Sequence, residues 1–483
     1  MNKYIRFLIL FTFSLCCFWL TSCTPKVPDE AEIVIISFND LHGDFENMPQ
    51  LSAFVNEMRN TYKYVIVVDA GDRFTGNPFN DFYERPQFPI IDMQNHIGVD
   101  VAVIGNHEFD NGVAVLNERI KDATSVAVSA NIELETSGLV GVRPYYMINK
   151  NGIRIAFLGL TNVDRQTGRP SALADHLVGM RFFDPIETAL NFRHLRKKSH
   201  VFVALTHIGI TEDSILAEAM PELDVIIGGH SHSVLEEPMI QNGVLITQAG
   251  RSARHVGKTK IRLEKGVITE ISNRLINLRT WDGPIDSVIV KKIERYSQNP
   301  FLTTAFVTLR HDIPNLLQLG HVMTDAPRTL PNVDFSLMNC SGIRINHLDA
   351  GEITYADVFR VSPFGNYLVV VDLTPAEIRA LIEIEFTDKR NCLMIPSGFE
   401  YTAIRTPGDN IQVTKMTYPN GQKLDETKKY RLILNNYLVA TYLAEHIDDA
   451  YFTGVSVVDN IVEFLKNNPN MDYRNVRARA RFN

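Results

Sequence analysis

The 483-residue chain has only five cysteines, two tryptophans and no surplus of basic side chains, its formal charge being -8. Three of the cysteines, Cys16, Cys17 and Cys23, fall at the N-terminus, which leaves Cys340 and Cys392 for the folded part. Neither belongs to a Cys-x-x-Cys pair, so a thiolate zinc site and a disulfide framework are excluded, with room left for one disulfide. The missing basic surplus argues against a nucleic-acid partner, because Lys and Arg are not in excess to neutralise phosphates. A small anionic substrate is not excluded, since metals and local charge decide its binding. Internal repeats and low-complexity tracts are absent. The length exceeds one ordinary core and fits two or three domains.

At the N-terminus, Lys3 and Arg6 precede the apolar run FLILFTFSLCCFWL. A charged n-region and an h-region too short for a comfortable membrane span read as a signal peptide. The run ends in Leu20-Thr21-Ser22-Cys23, which resembles a bacterial lipobox. The expectation is a lipoprotein signal peptide over 1–22, lipidation of Cys23 and a Pro-rich tether over 23–31. The protein is then exported and held to a bacterial cell membrane, periplasmic or at the cell surface, touching the membrane only through its lipid.

From Glu32 onward, short runs rich in Val, Ile and Ala alternate with polar segments: IVIISF, YVIVVD, VAVI, SVAVSA, IRIAFLGL, VFVALT, DVIIG and VLITQ. Runs unbroken by polar alternation predict strands buried on both faces. Between the first two, Leu51, Phe54, Val55 and Met58 recur at i, i+3, i+4 and i+7, one face of a helix. The fold class expected is α/β, layered, with helices covering sheets over 32–282. Gly283-Pro284 breaks the chain, and residues 283–300 read as a linker helix. From 301 to 483 helix-like and strand-like segments mix without βα alternation, which predicts a second, α+β domain.

The polar residues are informative by position. IVIISF runs into Asn39-Asp40-Leu41-His42, YVIVVD into Gly71-Asp72, VAVI into Gly105-Asn106-His107, VFVALT into His207, and DVIIG into Gly229-His230-Ser231-His232. Ligands of open α/β sheets bind beyond the carboxyl ends of the strands. Each cluster alone reads as a turn or a cap; five in succession point to one shared rim. Carboxylate and imidazole without thiolate suit two divalent cations, with zinc, manganese, iron, magnesium or calcium as candidates. A second cation needs a shared ligand, and Asp72, alone in its cluster, is the natural bridge.

In this order the motifs DLH, GD, GNHEFD, a His after a strand, and GHSH resemble the calcineurin-like metallophosphoesterases. GNHEFDNG with the domain that follows resembles the 5'-nucleotidase family. The resemblance implies two covered sheets and a two-metal site, in which Asp40, His42, Asp72 and His232 hold one cation and Asp72, Asn106, His207 and His230 the other. His107 and Asp110 match the family's catalytic pair, while Glu108 receives no task and reads as structural. The implied reaction is hydrolysis of nucleotide phosphate monoesters by a metal-bound hydroxide, outside the cytoplasm.

The family's C-terminal domain typically stacks the base between two aromatics. NCSGIR and SPFGNYLVVVDLT match family segments, making Asn339, Arg344, Phe364 and Asn366 the substrate contacts by resemblance. The family's late GGDG motif is missing, so the second ring is unassigned, with Tyr451 or Phe452 as candidates. Arg310 is the candidate stand-in for an arginine of the segment that opens the domain. The alternatives are a UDP-sugar hydrolase, a 2',3'-cyclic-nucleotide phosphodiesterase and, more remotely, a non-catalytic surface-binding lipoprotein.

Overall fold

The computed structural model describes residues 27–165, 167–389 and 392–483. Cys23, the expected lipidation site, lies outside the described residues. Twelve strands build the first domain: β1 (Glu30–Phe38), β2 (Tyr64–Asp69), β3 (Val101–Val103), β4 (Val126–Val128), β5 (Tyr145–Lys150), β6 (Ile153–Thr161), β7 (Val201–His207), β8 (Val225–Ile227), β9 (Met239–Gln241), β10 (Val244–Thr247), β11 (His255–Glu264) and β12 (Val267–Asn277). They form two six-stranded sheets, ordered β12-β11-β1-β2-β3-β4 and β5-β6-β7-β8-β10-β9. β1 to β4 run parallel, as do β6, β7, β8 and β10, with antiparallel strands only toward the edges.

The sheets pack face to face, and helices cover both outer surfaces. Ile33 and Ile35 of β1 point into the layer shared with Phe157, Val203 and Leu205 of the second sheet. Val34 and Ile36 point outward under the helix Met48–Thr61. That helix buries Leu51, Phe54, Val55 and Met58, the stripe its spacing predicts. Burial on both faces is why the runs are unbroken in the sequence. Each such side chain contributes about 1.5–3 kcal/mol, so the parallel strands end on a rigid rim. The eight apolar runs are β1–β4, β6–β8 and β10. The antiparallel strands β5, β9, β11 and β12 carry no comparable run, and β12 is nowhere fully buried.

Within 283–300, the helix Ser287–Tyr296 starts where Asp286 accepts from the Val288 N–H at 2.8 Å. It docks against the first domain: Ile289 and Tyr296 are buried in the same core as Leu51 and Phe54.

The second domain contains β13 (Ala305–Leu309), β14 (Phe335–Met338), β15 (Gly351–Thr354), β16 (Tyr367–Leu373), β17 (Ile395–Ser397), β18 (Glu400–Thr406), β19 (Asn410–Thr417), β20 (Tyr430–Asn435), β21 (Tyr451–Ser456) and β22 (Ala480–Phe482). Its main sheet is ordered β17-β14-β20-β16-β21. Along β16 the pleat sends Val369, Val371 and Leu373 into one core and Leu368 and Val370 into the other. Cys340 and Cys392 are disulfide-bonded, with Cα atoms 6.0 Å apart, tying the loop after β14 to the segment beyond the helix Pro375–Lys389. Phe82 of the first domain meets Tyr355 and Phe359 of the second, at ring-centroid distances of 5.9 and 4.9 Å. Among the described residues no helix is long and apolar enough to cross a membrane.

Candidate active site

The rim gathers the first-domain candidates from five strand ends. Asp40 and His42 follow β1, Asp72 follows β2, Asn106 follows β3, His207 closes β7, and His230 and His232 follow β8. Three groups, Asp40/His42/His232, Asp72/His207/His230 and His42/Asp72/His107, each bring their ligand atoms within 4.8 Å of one another. Backbone strain marks the same residues. Asp40, His42, Asp72, His230 and His232 all have φ between 50° and 78°. Non-glycine residues seldom adopt that conformation and cluster at functional sites when they do. Glycines make room between them: a Cβ at Gly105 would lie 2.3 Å from Asp72 Oδ1, and one at Gly229 would lie 2.7 Å from His207 Nδ1.

The hydrogen bonds orient each ring. His42 Nδ1 donates to the Thr75 carbonyl at 3.1 Å. Its Nε2 then faces Nε2 of His232 at 3.1 Å, and Asp40 Oδ1 lies 3.3 Å from that second nitrogen. His207 Nδ1 donates to the Ala70 carbonyl at 2.7 Å and turns Nε2 to within 3.0 Å of Asp72 Oδ2. That Nε2 is buried and makes no hydrogen bond of good geometry. Asn106 Oδ1 lies 3.0 Å from His230 Nδ1. Asp72 Oδ1 accepts the His107 N–H at 2.8 Å. His107 Nδ1 donates to Asp110 Oδ2 at 2.6 Å, leaving Nε2 on the cavity side, 3.9 Å from Asp72 Oδ2.

The electrostatics follow from burial. Burial, reinforced by the Arg344 charge, holds His42 well below the usual histidine range, in its neutral, lone-pair form. Burial opposes charge on His107 as well, but the Asp110 and Asp72 carboxylates outweigh it and raise its pKa to about 9. His207 is likewise raised to about 10, burial being overcome chiefly by Asp72. The Asp72 and Asp110 carboxylates thus draw positive charge onto these histidines. Converging imidazole nitrogens, an orphaned Nε2 and this negative field are the donor chemistry of a divalent-cation site with N and O ligands.

The second domain closes over the rim. Arg344 Nη2 lies 3.0 Å from His42 Nε2, and its guanidinium carbon sits 5.3 Å from the centre of the Phe364 ring. Phe364 stacks on His107, with centroids 5.6 Å apart and planes inclined by 25°. Asn339 accepts from Asn435 Nδ2 at 2.9 Å and donates to Ser341 Oγ at 2.8 Å. Asn339, Arg344, Phe364 and Asn366 line one cavity together with Asp72, Asn106, His107, Asp110, His230 and His232.

The chain matches two family models, "Calcineurin-like phosphoesterase" over residues 33–234 and "5'-nucleotidase, C-terminal domain" over residues 301–442. It belongs to the 5'-nucleotidase family. It is 25% identical over 491 residues to the trifunctional nucleotide phosphoesterase protein YfkN of Bacillus subtilis, across 86% of this chain but only 32% of that protein's length. It is 28% identical over 427 residues to a 5'-nucleotidase of Vibrio cholerae, across 74% of this chain and 76% of the other. Its fold matches the 5'-nucleotidase precursor of Thermus thermophilus with a TM-score of 0.83 and 23% identity, across 93% of this chain and 99% of that one. As a member of the family it is a metal-dependent phosphoric ester hydrolase, and its cofactors are divalent metal ions.

Two sequence expectations need correction. Tyr451 and Phe452 do not line the cavity; they lie on β21 at 62% and 53% exposure. The aromatic that lines it beside Phe364 is Tyr437, on the helix Asn436–Tyr442 that follows β20. Its signal in the sequence was position, just after the apolar run RLIL, but nothing in the motif text singles it out. Arg310 is exposed, and its backbone N–H bonds the Pro469 carbonyl, away from the cavity. Glu108 is structural, as expected. Buried at 1% exposure, its carboxylate accepts the backbone N–H groups of Gly105, Asp72 and Arg73 at 2.6, 3.1 and 2.8 Å. It fastens the loops after β2 and β3 to each other. Asn39 does the same for Asp40, donating to its Oδ2 at 2.6 Å and to the Gly250 carbonyl at 2.6 Å.

Proposed function

We propose that the protein hydrolyses the 5'-phosphate ester of nucleoside monophosphates outside the cytoplasm, using two divalent cations bound across the rim. The observation that carries this reading is the shared cavity of about 220 Å³. In it the rim residues Asp72, Asn106, His107, His230 and His232 face Asn339, Phe364, Asn366 and Tyr437. A phosphate ester at the rim thereby has an aromatic, amide-lined space for its nucleoside.

In this reading Asp40, His42, Asp72 and His232 hold one cation, and Asp72, Asn106, His207 and His230 the other. When bound, the pair supplies Lewis-acid stabilisation of phosphoryl oxygens and activation of water. His107, with Nδ1 committed to Asp110, offers Nε2 to the phosphoryl group, and the carboxylates beside it favour the protonated ring. That form donates to a phosphoryl oxygen or to the leaving alkoxide. Asp110 fixes the ring, as second carboxylates do for histidines at metal sites. Arg344 counters phosphoryl charge, Phe364 and Tyr437 take the base between them, and Asn339 and Asn366 offer amide groups to the nucleoside. Residues 32–282 and 301–483 form the two domains of this reading, joined through 283–300. The Cys340–Cys392 disulfide supports an oxidising compartment, and the tether through Cys23 rests on its lipobox-like setting.

Phosphate release from adenosine monophosphate, a UDP-sugar and a 2',3'-cyclic nucleotide, with added Mn²⁺ or Zn²⁺, tests the activity. Turnover of the monophosphate is expected. If it stays intact while sugar or cyclic nucleotides are consumed, the reading is wrong. Palmitate labelling that persists in Cys23→Ser would refute the tether.

A further inference from the structure

A chain of three side chains, Asn435, Asn339 and Ser341, runs through the second domain to the wall of the substrate cavity. Asn435 closes β20 and caps the helix Asn436–Tyr442, its Oδ1 accepting the Leu438 N–H at 2.9 Å. That bond decides which end of the Asn435 amide is oxygen. The other end is then Nδ2, and it donates to Asn339 Oδ1 at 2.9 Å. Asn339 is fixed in turn, its Nδ2 donating to Ser341 Oγ at 2.8 Å. A backbone N–H, which can only donate, thus sets the polarity of every link. The chain ends on Ser341. Its oxygen already accepts, and its hydroxyl proton has no acceptor among the described residues.

Each link is held in place. Asn339 and Asn435 are 5% and 2% exposed. A buried amide bonded at both ends does not turn over freely, because the reversed amide would set oxygen against oxygen. Between Asn339 and Ser341 stands Cys340, whose disulfide to Cys392 ties this turn to the segment beyond the helix Pro375–Lys389. Asn436 accepts the Tyr367 N–H at 3.0 Å, so the segment carrying Phe364 and Asn366 is fastened to the same helix start. Ser341 shares the cavity with the rings of Phe364 and Tyr437.

We infer that Ser341 is a specificity-determining contact, its hydroxyl donating to an acceptor atom of the base, and that Asn435 is the positioning residue that makes it a donor. The inference rests on the proposed nucleotide reading and deepens it. A ring nitrogen or keto oxygen suits this position, whereas an exocyclic amine would leave the hydroxyl proton unpaired. Asn435 is not on the cavity wall and acts through Asn339.

The test measures kcat/KM for the common nucleoside monophosphates, ribose 5-phosphate and p-nitrophenyl phosphate. It compares metal-loaded wild-type protein with Ser341→Ala, Ser341→Thr, Asn435→Asp and the Ser341→Ala/Asn435→Asp double variant, at pH 8, where an introduced carboxyl is ionised. For the best-used nucleotide, Ser341→Ala should lower kcat/KM relative to p-nitrophenyl phosphate roughly 3- to 10-fold, through KM, as loss of one neutral hydrogen bond does. Ser341→Thr keeps the hydroxyl and should restore it. Asn435→Asp keeps the helix cap but puts a carboxylate oxygen where Nδ2 donated. Asn339 then turns its amide over, and the Ser341 proton is taken up by Asn339 Oδ1. A similar loss is expected, and adding Ser341→Ala should change it by less than about twofold. Losses that multiply would make Asn435 a support of the fold and overturn the relay. If Asn435→Asp shows no folded melting transition, Asn435→Ser, which caps the helix but is too short for Asn339, takes its place in the same cycle. An unchanged nucleotide preference in Ser341→Ala overturns the contact. An equal loss for ribose 5-phosphate would give the donor to the sugar and also overturns it. Failure of the nucleotide reading itself shows differently, as wild-type protein that uses ribose 5-phosphate as well as any nucleotide, and the base contact then falls with it.

Discussion

Replacing Glu108 by Ala probes how the rim is held. Its carboxylate accepts three buried backbone N–H groups and faces Arg73 Nε at 3.4 Å. Truncation strands those donors and leaves the Arg73 side chain, 2% exposed, without its partner. Two routes give a magnitude. Three unsatisfied donors at about 1–3 kcal/mol each set an upper range. Removing one member of a buried ion pair costs about 3–5 kcal/mol. Water entering the vacated space re-satisfies some donors, so the second figure governs. At about 2–4 °C per kcal/mol for a domain of this size, the first unfolding transition should fall by roughly 6–20 °C. The loops so loosened carry Asp72 and Asn106, and divalent-cation affinity should drop roughly 10- to 100-fold, as it does when contacts behind metal ligands are removed. Glu108→Gln keeps the shape and one acceptor and should fall between. Calorimetric melting and Mn²⁺ titration of both variants provide the assay. A Glu108→Ala protein that melts within about 2 °C of wild type and binds Mn²⁺ equally well would refute the reasoning.

Three further outcomes follow from the same geometry. His107→Ala should lower kcat by about 10²–10⁴-fold, the usual worth of a positioned acid–base group, with metal content by mass spectrometry unchanged. Phe364→Ala and Tyr437→Ala should each raise KM for a nucleotide by roughly 10-fold, since stacking on a base is worth about 1–3 kcal/mol, and leave p-nitrophenyl phosphate little affected. Asp325 joins Arg479 at 2.6 and 2.7 Å and Tyr473 at 2.7 Å. Burial opposes its charge, yet Arg479 holds its pKa below the usual aspartate value. The stability it contributes is therefore complete above the unfolded carboxylate's pKa and is lost as pH falls through the lower folded value. Asp325→Asn should lower the melting temperature at pH 7, and by progressively less in acid.

The parallel strands of the first domain were legible because burial on both faces writes itself as unbroken Val and Ile runs, and the runs end where the parallel topology puts the rim. The antiparallel strands were not, since β11 alternates buried and half-exposed positions and β12 is nowhere fully buried. His107 and Asp110 were visible as a pair three residues apart. Glu108 was not visible as a fastener, because its partners are backbone N–H groups up to 36 residues away, which no side-chain motif encodes. Tyr437 escaped for a similar reason: it reaches the cavity through the packing of β20 against β14 and β16.

The most direct test of the central claim is metal stoichiometry measured alongside phosphate release from adenosine monophosphate, before and after chelation. The account expects chelated protein to be inactive and activity to return as a second equivalent of Mn²⁺ or Zn²⁺ binds per chain, with Asp72→Asn retaining neither full occupancy nor turnover. Undiminished phosphate release from metal-free protein, or full activity with a single ion bound, would contradict it.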